Sequence, residues 1–245
     1  MSVLLGAGLG TLGGLFGIGG GLIAIPVLGV LFGLDQQLAQ GTALVMVVPN
    51  VALALWRYNQ RNRLQWRHAL VLAGSGLLAA SLGALLAVGL DARLMRLAFA
   101  GFLLILLMHQ LWRLLERQPE KIPREAPGKG ALTGLGLFSG AMGGLFGVGG
   151  AVIVTPVLTS VFGVSQVIAQ GLSLALALPS TAVTLATYAW HQQVDWPMAI
   201  PLALGGLFSI SWGVRLAHAL PERLLRALFC SFLLLCALLL VLEAG

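Results

Sequence analysis

The chain predicts an all-α polytopic membrane protein made of two four-segment repeats, and three observations predict it. Of its 245 residues 58% are hydrophobic and 9% charged, and the mean hydropathy is +0.96, far from the balance of soluble domains. Apolar runs of about 20 residues recur along the whole length, so helices rather than barrel strands must satisfy the backbone in lipid. The sequence also matches itself at an offset of 130, without gaps, from about Gly13 to about Leu104, with about 40 identities in about 90 positions.

The first repeat spans 1–115 and opens with a long apolar segment, 1–33. As a single helix it would run about 50 Å against a hydrocarbon core of about 30 Å. Gly17-Ile18-Gly19-Gly20-Gly21 falls in its middle, where helix propensity is poor. The segment therefore reads as two half-helices joined at the glycines, a broken and re-entrant element. Spans follow at about 37–57, 67–89 and 92–116. Residues 116–130, ERQPEKIPREAPGKG, form a polar linker rich in proline, glycine and charge. The second repeat, 131–245, copies the order: a broken segment 131–163, then spans at about 167–189, 197–219 and 222–243. Paired positions include Pro26 with Pro156, Gln40-Gly41 with Gln170-Gly171, Pro49 with Pro179, Tyr58 with Tyr188 and Trp66 with Trp196. Tyr58, Tyr188, Trp66 and Trp196 sit at segment ends, where interfacial anchoring is the expected role.

Charge orients the repeats. The formal charge of +6 gathers in short inter-span segments, which is how membrane proteins fix topology, and it gives no case for nucleic acid. Arg57, Arg61, Arg63 and Arg67 precede or flank one loop, and Arg113, Arg117, Lys121, Arg124 and Lys129 surround the linker, placed on the cytoplasmic side. If every segment spans, the repeats are parallel, and Arg215, Arg223 and Arg226 lie near the outer face. If the first segment of each half turns back, the repeats are inverted, those arginines move inside, and only Arg93 and Arg96 stay outside. Inversion fits the positive-inside rule better. The first basic residue is Arg57, so the N-terminus lacks a signal peptide's basic n-region and is expected to be retained. Cys230 and Cys236, six apart in the last apolar run, give neither a disulfide framework nor a metal pattern.

A half-helix that begins just after the glycines presents orphan N–H groups and the positive end of its dipole, an anion site that needs no formal charge. Gly17, Gly19, Gly20 and Gly21, with Gly147, Gly149, Gly150 and Ala151, would let a ligand approach the main chain. Two such termini meeting near the midplane would make one pocket on a pseudo-two-fold axis. The competing reading is close helix packing by small residues. Gln40 and Thr42, and Gln170 and Ser173, open the next segments. Their amides and hydroxyls either complete an anion's shell or bond between helices. Asn50, Ser180 and Thr184 are weaker candidates of the same kind. Asp35, Asp91, Asp195, Glu222 and Glu243 all fall at loops or ends, which argues against a carboxylate relay or cation site. The four histidines are scattered singly, and no nucleotide motif occurs. No cofactor or metal is expected.

The repeated GxxGxGGGxxxxPxL pattern, Gly14 to Leu28 in the first copy, with an A-x-G-T-like start to the next helix, resembles the sulfite exporter TauE/SafE family. The resemblance covers nearly the whole chain. It implies a prokaryotic inner-membrane, multi-pass transporter of sulfite, sulfonates or related sulfur-containing or organic anions. The second copy departs from the first at Ala151, where the first has Gly21, and at Leu172, where the first has Thr42, so the two half-sites are chemically unequal. The expected partners are the anion and the bilayer, with a homodimer left open. The alternative function is a membrane scaffold or assembly subunit whose glycines serve packing alone. A membrane-embedded enzyme lacks catalytic constellations.

Overall fold

The computed structural model describes residues 2–61, 64–115 and 128–244, and among them it is entirely helical, with ten helices and no strand. The helices are α1 Ser2–Phe16, α2 Gly21–Phe32, α3 Gln36–Arg61, α4 Trp66–Val88, α5 Ala92–Leu115, α6 Lys129–Phe146, α7 Ala151–Val161, α8 Gln166–Trp190, α9 Trp196–Ala219 and α10 Glu222–Ala244. Among the described residues five stretches are long and apolar enough to cross a bilayer: Gln36–Gln60, Trp66–Val88, Ala92–His109, Gln166–Trp190 and Trp196–Ala219.

Each overlong first segment is divided where the glycines fall. Gly17 and Gly147 follow α1 and α6 in the left-handed conformation, at φ +68° and +70°. The N–H groups of Ile18 and Gly19 turn back to Gly13 O, as those of Val148 and Gly149 do to Gly143 O. Only glycine reverses a helix end in this way without strain. Pro26 and Pro156 lie inside the short second helices, where each removes one ladder donor.

Two boundaries differ from expectation. Helix α3 continues to Arg61, past Arg57, because a charge at the end of a span reaches toward water along its own stem and does not stop the helix. The linker ends at Gly128 rather than at residue 130. Gly128 is extended and its carbonyl accepts from Leu132 N–H, so α6 is already under way at Lys129. Arg63, Arg117, Lys121 and Arg124, used above for orientation, lie outside the described residues, and so do the side chains of Arg61, Arg113, Arg223 and Arg226.

Glycine seams set the packing. Helix α1 lies along α9 and α6 along α4. A Cβ on Gly10 would come 2.5 Å from Gly206 O, and one on Gly140 would collide with Gly76. Gly6, Gly10 and Gly14 recur every fourth residue on α1, and Gly136, Gly140 and Gly144 do so on α6, the close-packing device of membrane helices. Helices α3 and α8 pack against each other and are the most enclosed of the five long spans, while α5 pairs with α10. The outward faces carry Leu78, Leu82, Ile105, Phe208 and Trp212, all well exposed. Such a surface is stable against lipid and not against water.

Candidate functional site

The two breaks are held by residues of the other half. A Cβ built on Gly17 would lie 2.9 Å from Gln170 Cβ, and one on Gly147 would lie 3.2 Å from Gln40 Cβ. Each glutamine is then fixed by a tyrosine of the opposite half. Tyr58 donates to Gln170 Oε1 at 2.9 Å, and Tyr188 donates to Gln40 Oε1 at 2.5 Å. All four side chains are buried. Gly147 O is also 3.4 Å from a Cβ built on Gly21, so the start of α2 meets the end of α6.

The two clamps differ in their remaining bonds. Gln170 also donates through Nε2 to Leu15 O at 3.3 Å, whereas Gln40 Nε2 is buried with no partner. Tyr58 additionally faces the His218 ring at 4.9 Å. Asn50 reaches the first break through Nδ2 to Gly19 O at 3.4 Å, whereas its counterpart Ser180 bonds within its own helix to Leu176 O.

A small cleft opens beside the second break. Ala151 and Val152, the first turn of α7, line it together with Thr155, Gln166 and Gln170. Phe16, Ile18, Leu225 and Phe229 are its apolar lining, with the Phe16 and Phe229 rings in contact at 5.3 Å. No ionisable side chain is among these residues. Helix α7 is preceded by Gly150 at φ +72° and has no side-chain cap, so its positive end is left to whatever fills the cleft. Amide and hydroxyl donors around an uncapped helix start, walled by aromatics, can hold a small anion by dipoles alone.

The expected site residues are distributed unevenly. Ala151 and Gln170 line the cleft, and Ser173 stands just behind it, accepting from Thr155 Oγ1 at 2.8 Å and donating to Ala169 O at 2.7 Å. Gly17, Gly21, Gly147 and Gln40 gather where the halves meet. Gly19, Gly20, Gly149 and Gly150 instead press on helices of their own half, against Val47, Leu9, Ala177 and Ser139 respectively. The Thr42 hydroxyl accepts from Asp195 N–H at 3.0 Å and so braces the turn before α9. Thr184 bonds to Ser180 O in its own helix.

Tyr58 and Tyr188 correct the sequence reading. Both are fully buried hydrogen-bond donors and not interfacial anchors. Their position near a span's end suggested the membrane surface, but the glutamine carbonyls offer the buried hydroxyl a partner that lipid does not. Trp66 and Trp196 are about half exposed. Thr155, Gln166, Gln36, Phe16 and Phe229 were not singled out from sequence. Gln36 and Gln166 could have been, since they match at the same offset one helical turn before Gln40 and Gln170.

The family model for "Sulfite exporter TauE/SafE" matches residues 2–240. The chain belongs to the sulfite exporter TauE/SafE family. Among its relatives are two proteins of Xylella fastidiosa strains, each named a probable membrane transporter protein. One is 29% identical over 87% of this chain and 81% of its own length, the other 30% identical over 89% and 82%. A probable membrane transporter protein of Methanocaldococcus jannaschii is 23% identical over 94% of this chain and 91% of its own. No solved structure gives a significant match. Family and apolar helices together make this a multi-pass membrane protein.

Proposed function

We propose that the chain is a secondary transporter, not an enzyme, that moves a small anion such as sulfite, a sulfonate or a related sulfur-containing or organic anion across the prokaryotic inner membrane. The observation that carries this reading is the cleft in which the uncapped start of α7 meets Thr155, Gln166 and Gln170, with no ionisable side chain among its described lining residues. The family and the names of the relatives support the same reading. The anion is bound where repeats 1–115 and 131–245 meet, by Gly17, Gly21, Gly147, Ala151, Gln40, Gln170 and Ser173, while Gly19, Gly20, Gly149 and Gly150 shape the breaks and Thr42 braces the rim. The repeats are inverted, each opening with a re-entrant pair of half-helices. The exchanged contacts, α1 with α9 and α6 with α4, Tyr58 with Gln170 and Tyr188 with Gln40, support a pseudo-two-fold relation between the halves, and the distribution of arginines supports its inverted form.

Proteoliposomes loaded with labelled sulfite and given an imposed pH gradient test the reading. Flux above that of empty liposomes is expected, and the purified protein should gain thermal stability from at least one of sulfite, thiosulfate or a short sulfonate. At 100 times Kd the gain is about 2.7 kcal/mol. Neither flux nor stabilisation by any of these anions would leave the scaffold reading standing and this one refuted.

A further inference from the structure

Two amide nitrogens are buried without a partner at the start of α3: Gln36 Nε2 and Gln40 Nε2. The residues are 2% and 0% exposed, and being one turn apart they share a helix face. Folded proteins rarely leave such donors unmet, and each that remains needs an explanation. For Gln40 the carbonyl end is taken by Tyr188, so the end left over is the donor. Its Cβ packs on Gly147, the residue whose carbonyl abuts Gly21 at the start of α2. Helix α2, like α7, has no side-chain cap.

Part of the lining of the cleft recurs in the first repeat, although its hydroxyl residue, Thr155, stands at the place of Ile25. Gln166, Gln170, Ala151, Phe16 and Phe229 line it, and at an offset of 130 they correspond to Gln36, Gln40, Gly21, Phe146 and Phe99. The ring pairs agree as well, with Phe99–Phe146 at 5.4 Å and Phe16–Phe229 at 5.3 Å. Both sets are buried, but only the first-repeat set leaves two amide donors unmet.

We infer that Gln36 and Gln40, with the first-turn N–H groups of α2, form a second half-site for a small oxyanion, buried in this conformation. The inference rests on the transport reading. An oxyanion carries enough acceptor oxygens to meet both amides and the helix start together, at a place where no acidic group competes among the named residues.

Gln36→Leu separates a ligand donor from an orphan of packing. Removing an unmet buried amide does not lower stability, so the variant should keep or raise the wild-type thermal midpoint. Its flux of labelled sulfite, per reconstituted folded protein, should fall about tenfold or more, the scale of a lost hydrogen bond to a charged group. Flux within twofold of wild type overturns the half-site while the transport reading stands, and a lowered midpoint overturns it as a structural role. If the leucine variant is not recovered folded, Gln36→Met is scored by the same criteria. A wild-type protein that moves none of sulfite, thiosulfate or a short sulfonate refutes the transport reading and the half-site with it.

Discussion

Tyr188 donates to Gln40 Oε1 across 2.5 Å, and Tyr58 makes the matching bond to Gln170 Oε1 at 2.9 Å. Each bond joins the two halves of the chain beside a helix break, so each ties the position of one half to the other. The bonds are alike, but their surroundings differ: Gln170 keeps a second bond to Leu15 O, and Gln40 Nε2 has none. Loss of either tyrosine hydroxyl leaves one buried glutamine Oε1 unmet, and Tyr58 also lies 3.3 Å from Gly14 O. Tyr188→Phe and Tyr58→Phe should each cost about 1–3 kcal/mol, the cost of a buried acceptor left unmet. Thermal midpoints in detergent measure both. Unchanged midpoints in both variants would show that the clamps do not hold the halves together.

How far the sequence leads is plain from these residues. Composition and the offset of 130 are enough for the helical membrane architecture and for the breaks at Gly17 and Gly147, because hydropathy and glycine act locally. The long-range partners are not local. Nothing near Tyr58 in sequence says that Gln170, 112 residues away, accepts its proton, and a tyrosine near a span's end suggests the interface first. Glycine spacing likewise could not separate the α1 seam against α9 from the break itself. Both read as small residues, and only the packed neighbours of Gly10 and Gly17 tell them apart.

The glycines of the breaks should fall into two classes on substitution. Gly20 and Gly150 have φ of +94° and +72°, and a Cβ on Gly20 would lie 2.8 Å from Leu9 O, with Gly150 similarly obstructed by Ser139 O. Alanine there meets the left-handed penalty of about 1–2 kcal/mol as well as a backbone clash. Gly21 has no such φ, and only Val47 Cγ2, 2.9 Å from the built Cβ, must give way. The second half already carries Ala151 at this place. Gly20→Ala and Gly150→Ala should each lose about 2 kcal/mol or more, and Gly21→Ala less than about 1 kcal/mol. Equal losses, read from recovery of monodisperse protein and thermal midpoints, would show that space rather than backbone conformation governs the break.

The relation between the halves makes a claim about sidedness that one residue can test. Gln192 is exposed in the turn between α8 and α9, and that turn, His191 to Asp195, holds no lysine or arginine. The matching turn between α3 and α4 is flanked by Arg57 and Arg67. Inverted repeats put the two turns on opposite faces, the arginine-poor one outside, as the positive-inside rule prefers. Parallel repeats put both inside. The native thiols Cys230 and Cys236 are buried and add little background. Gln192→Cys should therefore react with a membrane-impermeant thiol reagent in intact cells as fully as in permeabilised ones. Labelling that appears only after permeabilisation would place the turn in the cytoplasm and refute inversion.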